Sequence, residues 1–325
     1  CSALPGGQVE WLDGAPGAWS LALLTVASLL CGPWLIAQLR LRPRVAAGVA
    51  MLLVAALTPL PVPSRWPPPP GWTLVACDVG QGDAFVVPTG TRSGAVMVDV
   101  GPPRSGVVAC LQDLGVERVE ALVLSHFHRD HVGGLGEVLA ALDVQAAYVT
   151  PLRDPPAEAR QTLRMLHEAG VPTRAVVART RLHWPAGEAT VIWPESDPMV
   201  LGTSAANNAS LVLEVTTGST RVLFTGDIEE EASARVRRTL AGRRFDVLKV
   251  AHHGSADQDE ALVRGTGADL ALIGVGAENP FGHPTTGALA ILRGAGMRIR
   301  RTDVHGHIAV VPTQRGLSVL SASDP

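Results

Sequence analysis

Eleven consecutive residues, Leu-Ser-His-Phe-His-Arg-Asp-His-Val-Gly-Gly at 124–134, constrain this chain more than any other stretch. His126, His128, Asp130 and His131 put four metal-capable side chains within six residues, and Gly133 and Gly134 follow directly. Upstream, residues 119–124 form a largely apolar run of strand length; downstream, residues 135–142 repeat their apolar members at helical spacing. The cluster therefore belongs on a strand-to-helix loop, where a turning backbone lets several side chains converge on one point. Mixed imidazole and carboxylate donors favour zinc, manganese or iron over calcium, which prefers oxygen alone.

The flanking sequence divides unevenly. Residues 18–62 carry only three charges, Arg40, Arg42 and Arg44. The apolar runs 18–37 and 45–62 are each long enough to span a hydrocarbon core of ~30 Å as helices. Pro33 would kink the first. Joined by a short arginine loop, they predict a membrane hairpin whose loop is cytoplasmic and whose outer ends are extracytoplasmic. A signal peptide would put its basic region first and have a single apolar run. The first residue is Cys1 rather than Met, as expected of a piece of something longer. We therefore expect residues 1–62 to be the end of a membrane region, residues 63–70 a stiff proline-rich linker, and residues 71–325 a separate α/β domain.

Of 27 basic and 30 acidic residues, Arg40, Arg42, Arg44, Arg65, Glu10 and Asp13 precede residue 71, leaving 23 basic against 28 acidic in the domain. That balance excludes a protein that holds nucleic acid through a broad basic surface. Cys1, Cys31, Cys77 and Cys110 show no paired spacing, and the expectation is buried thiols rather than a disulfide framework or a cysteine zinc site. Short apolar runs alternate with helical stretches from residue 74 to 311, with no repeat of 20 to 50 residues. Two stacked sheets with helices outside, a four-layer αββα sandwich, fit this order. Metal-capable residues recur after apolar runs: Asp99, the loop 126–131, Asp227, and His252 with His253.

The order Asp99-Val-Gly, Ser-His-Phe-His-Arg-Asp-His-Val-Gly-Gly, Thr-Gly-Asp227 and His-His-Gly-Ser255 resembles the metallo-β-lactamase superfamily. Asp78-Val-Gly-Gln-Gly-Asp83, Asn208-Ala-Ser210, Leu223-Phe-Thr-Gly-Asp227, the run 248–255 and Gly282-His-Pro284 are similar, more narrowly, to the C-terminal hydrolase domain of ComEC-type competence proteins. The resemblance implies that His126 and His128 hold one divalent ion, zinc or manganese, that Asp130 and His131 hold another, and that Asp227 bridges them. It makes His252 the leading candidate for the last ligand, with His253 either that ligand or a phosphate contact. Asp130, Asp227 and His253 are the expected catalytic groups. Asp78, Asp83, Asp99, Asn208, Ser210 and His283 are expected to support the ligands or touch substrate. One departure stands out: the family's further histidine between loop and bridging acid has only His167, in a helical run, and His183, before Trp184, as candidates.

The implied function is a metal-dependent nuclease or phosphodiesterase on the outer face of a membrane, acting on DNA during uptake. Its implied partners are DNA, membrane lipid and the rest of an uptake channel, including an upstream membrane region. Hydrolysis of a small ester, thioester or β-lactam is the alternative on the same fold, and a non-catalytic DNA-guiding component is the other.

Overall fold

The chain divides into two units, Cys1–Pro63 and Ser64–Pro325. In the computed structural model the described residues are 66–195 and 204–323 of the second unit, together with Thr25, Leu41 and Arg42 of the first. The expected membrane hairpin therefore lies outside the described residues, and among those described no helix is long and apolar enough to cross a membrane.

Seven strands come first: β1 (Leu74–Ala76), β2 (Phe85–Pro88), β3 (Gly94–Val98), β4 (Arg118–Leu124), β5 (Asp143–Val144), β6 (Ala147–Val149) and β7 (Thr173–Ala175). Seven more follow: β8 (Arg181–Trp184), β9 (Gly187–Trp193), β10 (Val212–Thr217), β11 (Thr220–Phe224), β12 (Val247–Lys249), β13 (Leu270–Ile273) and β14 (Arg298–Arg301). β15 (Ile308–Thr313) and β16 (Gly316–Ser321) return to the first sheet, ordered β16-β15-β1-β2-β3-β4-β6-β7 with β5 beside β4. The second sheet runs β14-β13-β12-β11-β10-β9-β8. In each sheet one half is parallel, β3-β4-β6-β7 and β11-β12-β13-β14.

Alternation along the strands assigns the layers. On β11, Val222 and Phe224 face the other sheet while Leu223 faces outward. Phe85 of β2 meets Phe224 edge-to-face across the sandwich, with centroids 5.4 Å apart. Outside the first sheet lie α1 (Val107–Asp113), α2 (Arg129–Val132), α3 (Leu135–Ala141) and α4 (Pro156–Glu168), which contribute Val107, Leu111, Val132, Leu135, Val138 and Leu166 to one core. Next in the chain come α5 (Ala205–Asn208), α6 (Glu230–Thr239), α7 (Glu260–Thr266), α8 (Thr286–Gly294) and α9 (Thr302–His305). Of these, α6, α7 and α8 bury Val236, Leu262 and Leu292 against the second sheet's outer face. Three apolar layers between helix, sheet, sheet and helix make the αββα sandwich.

Two differences from the sequence reading have physical causes. β8 and β16 are strands that the apolar runs alone did not single out: β8 is only four residues long, and pairing to β9 and β15 defines the two. Cys77 and Cys110 are not free thiols but form a disulfide across 33 residues. Their spacing carries no signal because the pairing is tertiary. Cys77 follows β1, Cys110 lies in α1, and the fold packs the two together. The bridge ties the 78–83 loop to the helical layer behind the metal loop. Within the expected linker, Trp66 Nε1 donates to Asp113 Oδ2 (3.2 Å), so the chain is docked on the domain from there.

Closing a loop of this length removes denatured-state entropy worth about 3–4 kcal/mol. The double variant Cys77→Ala/Cys110→Ala is therefore expected to lose about 2–4 kcal/mol in denaturant unfolding. An unchanged midpoint, with or without reductant, would show that the bridge is not formed.

Candidate metal centre

The loops after β3, β4, β11, β12 and β13 meet at one edge of the sandwich. After β3, Asp99 adopts a left-handed backbone (φ 62°), which aspartate tolerates better than most residues. This turn aims its carboxylate back under the metal loop. Oδ1 accepts the Ser125 amide (2.7 Å), and Oδ2 accepts the Ser125 hydroxyl and His131 Nδ1, both at 2.8 Å. With Nδ1 committed as donor, His131 presents Nε2 to the centre, where Asp227 Oδ2 stands 3.1 Å away.

His253 is set the same way. Its Nδ1 donates to the Gly274 carbonyl (2.7 Å), so Nε2 faces Asp130 Oδ2 at 3.2 Å and Asp227 Oδ2 at 3.4 Å. Asp227 is held by its own amide, which donates to Ser210 Oγ (3.1 Å). Two glycines permit the close approach. A Cβ on Gly226 would lie 2.5 Å from Ser210 Cβ, and one on Gly82 2.2 Å from the Asp130 carbonyl oxygen. Gly82 thereby lets the 78–83 loop press Asp83 into the centre, with the Asp83 amide on the Asp130 carbonyl at 3.2 Å.

Asp83, His131, Asp227 and His253 form a buried group whose donor atoms all lie within 4.8 Å of one another. Lys249, at the end of β12, balances it. Its ammonium donates to the Gly226 carbonyl (2.7 Å) and Asp227 Oδ1 (3.2 Å) and ion-pairs with Asp83 Oδ2. Lys249 is the only lysine among the 27 basic residues, and it is almost wholly buried.

Burial alone would lower the His131 and His253 pKa values, but the carboxylates prevail. Asp227 and Asp99 hold His131 well above its usual value; Asp227 and Asp83 push His253 up to about 10. Burial would raise Asp227, yet His131, His253 and Lys249 hold it well below the carboxylate range. Asp130 is likewise lowered against its burial by His131 and the His253 hydrogen bond. Burial raises Asp83 despite Lys249 beside it. Burial, then the neighbouring His131, pushes His126 well below its usual value. Two buried imidazoles charged only by surrounding carboxylates, plus a buried Asp83 whose oxygens both lack a hydrogen bond of normal geometry, suit a divalent cation that displaces the protons. The donor set fits the metal the sequence calls for.

Among the expected ligands, Asp130, His131 and Asp227 converge here. His126 and His128 stand beside the group as a pair, Nε2 to Nδ1 3.0 Å, with the His126 ring 4.2 Å from that of His131. His252 does not converge. In the tight turn Ala251–Gly254 its ring swings out toward Glu229 (3.7 Å) and His283 (centroids 5.5 Å), and His253 takes the inward place. Asp83, expected in support, joins the donors directly. Asp99 and Ser210 lie behind the group, hydrogen-bonded to His131 and to the Asp227 amide. Asp78 caps its own turn through the Gly80 amide (3.2 Å), and Asn208 accepts the Glu229 amide and donates to Glu231 at the start of α6. His183 pairs with Glu188 on the exposed edge, and no further histidine enters the centre among the described residues. Lys249 escaped the sequence reading, although its being the sole lysine, three residues before His252, was a visible signal.

The sequence profile of the metallo-beta-lactamase superfamily matches residues 77–275, which contain every residue of this centre. The chain belongs to that superfamily. It is 30% identical over 257 residues to ComE operon protein 3 of Bacillus subtilis (strain 168), covering 71% of this chain and 32% of that protein. It is also 29% identical over 262 residues to Recombination protein 2 of Haemophilus influenzae, covering 78% and 30%. The chain thus spans about a third of the length of these curated relatives. CmlA, a diiron β-hydroxylase from Streptomyces venezuelae, superposes with a TM-score of 0.50 at 15% identity, covering 74% of this chain and 54% of CmlA, a likeness of fold alone. Membership of the superfamily identifies the domain as a metal-dependent hydrolase in general, of the kind found in competence proteins.

The charge state of His253 gives a pH test. Its raised value means that, in the metal-free protein, its contribution to stability is full below about pH 6.5 and lost as pH rises through about 10. Metal-free protein is expected to lose stability across that window, and zinc affinity to rise as fewer protons must leave. A flat stability profile from pH 6.5 to 10 in chelator would contradict the assigned charge states.

Proposed function

We propose that this chain is the metal-dependent phosphodiesterase part of a membrane DNA-uptake protein, cutting DNA on the extracytoplasmic side. The observation that carries the reading is the convergence of His131 and His253 on Asp227 with both Nδ1 atoms already committed. Bound metal there supplies fixed positive charge that favours attack by water and stabilises the charge growing on phosphodiester oxygens. Asp83, Asp130, His131, Asp227 and His253 would hold one ion. His126 and His128 would serve a second, so that two zinc or manganese ions are the fuller reading. Asp130 is the carboxylate of the group that reaches solvent, its side chain 30% exposed. As the one carboxylate of the group that reaches solvent, it is the one placed to take a proton from the attacking water.

The location rests on two supports. The apolar runs 18–37 and 45–62 with their arginine loop favour an outward domain, and a buried disulfide belongs in an oxidising compartment. DNA, membrane lipid and the remainder of an uptake channel are the partners this reading assigns.

The whole chain, in detergent with Mn²⁺ or Zn²⁺, is expected to cut labelled DNA, and Asp227→Ala to cut it more than about a hundredfold more slowly, beyond the loss typical of an outer-shell change. Equal cutting by both proteins would reject the assignment. Hydrolysis of nitrocefin or a thioester with no cutting of DNA would favour the small-substrate reading.

A further inference from the structure

We propose that the groove beside Asp130 is a subsite for single-stranded DNA, with Phe281 as the stacking platform for one unpaired base and Arg104 and Arg129 as phosphate contacts. The proposal rests on the phosphodiesterase reading and adds to it the form of the substrate.

Phe281 is 64% exposed, and among the described residues of the domain only Val304 is a comparably exposed large apolar side chain. Its exposure is built rather than accidental. Asn279 clamps the loop: its Oδ1 accepts the His283 amide (3.0 Å), and its Nδ2 donates to the carbonyls of Gly276 and His283, both at 2.8 Å. Gly282 makes the turn at φ 70°. On one face the Phe281 ring stacks on the His283 imidazole, centroids 5.8 Å apart and planes 29° apart. A loop fixed this firmly cannot fold the ring back into the core, so one aromatic face is left presented at the rim of the centre.

Gln81, Pro102, Pro103, Arg104, Arg129 and Asp130 complete a groove of about 570 Å³ with Phe281, within the size range of sites for drug-sized ligands. Asp130 joins it to the metal donors, so a nucleotide in the groove would have its phosphodiester at the centre. Arg104 and Arg129 are exposed, and neither guanidinium has an ion pair among the described residues. Glu137 holds the Arg104 backbone amide (2.5 Å) without engaging the side chain. In a domain with 28 acidic against 23 basic residues, two uncommitted arginines beside an acidic metal centre are local complements to phosphate. An arginine pair alone would suit any polyanion. The aromatic platform selects a strand whose base faces are free, because duplex bases already stack on one another.

The test measures binding by the whole chain in chelator, which stops metal-dependent cutting, using a labelled 12-mer of thymidine, the same 12-mer with central abasic residues, and a duplex. Phe281→Ala is expected to weaken binding of the thymidine strand about tenfold and leave the abasic strand unchanged, and Phe281→Trp to restore it. Arg104→Ala/Arg129→Ala is expected to weaken both strands and to lower the salt dependence by about 1.4 in log–log slope. Equal loss on both strands in Phe281→Ala, no loss on either, or duplex bound as tightly as single strand would overturn the subsite. Wild-type hydrolysis of bis(p-nitrophenyl) phosphate with metal is read separately. Failure there with base-dependent binding intact rejects the phosphodiesterase reading but keeps the subsite; hydrolysis without any Phe281 effect on binding rejects the subsite alone.

Discussion

A single buried ammonium holds this centre together. Asp83 and Asp227 are nearly inaccessible to water, and carboxylates so close would not remain ionised without compensation. Lys249 meets both: it donates to Asp227 Oδ1 and the Gly226 carbonyl and forms an ion pair with Asp83. Breaking one partner out of such a pair typically costs about 3–5 kcal/mol, because the remaining charge stays buried. Lys249 thus joins His131 and His253 in keeping Asp227 charged, and by taking Oδ1 it leaves Oδ2 to face the two imidazoles.

The sandwich exists, from this viewpoint, to bring loops of two sheets to one edge. β3 and β4 supply Asp99 and the 126–131 loop from the first sheet; β11 and β12 supply Asp227, Lys249 and His253 from the second. The inter-sheet apolar layer around Phe85 and Phe224 sets their spacing, since neither sheet alone brings His131 to Asp227. The Cys77–Cys110 bridge secures the last contributor, the 78–83 loop, whose glycine at position 82 is what allows Asp83 to reach the centre.

Much of this was legible in the sequence, for definite reasons. Four metal-capable residues in six sit on a local loop, and strand and helix periods flanking it survive folding, so the loop and the αββα order could be read directly. Residues whose roles depend on tertiary approach could not. Asp83 looks like a turn residue until Gly82 is seen against Asp130. Cys77 and Cys110 pair only because β1 and α1 pack together. His252 and His253 are adjacent and chemically identical; the choice between them is made by the positive φ values of the 251–254 turn, 47° and 52°. No pattern of residue types encodes that choice.

The choice also offers the most direct test of the centre. Zinc affinity by competition with a chromogenic chelator, measured on the whole chain and on His252→Ala and His253→Ala, separates the two histidines. His253→Ala is expected to weaken zinc binding by about 10–100-fold or more, while His252→Ala stays close to wild type. Loss of zinc in His252→Ala with binding retained in His253→Ala would contradict the arrangement at its core.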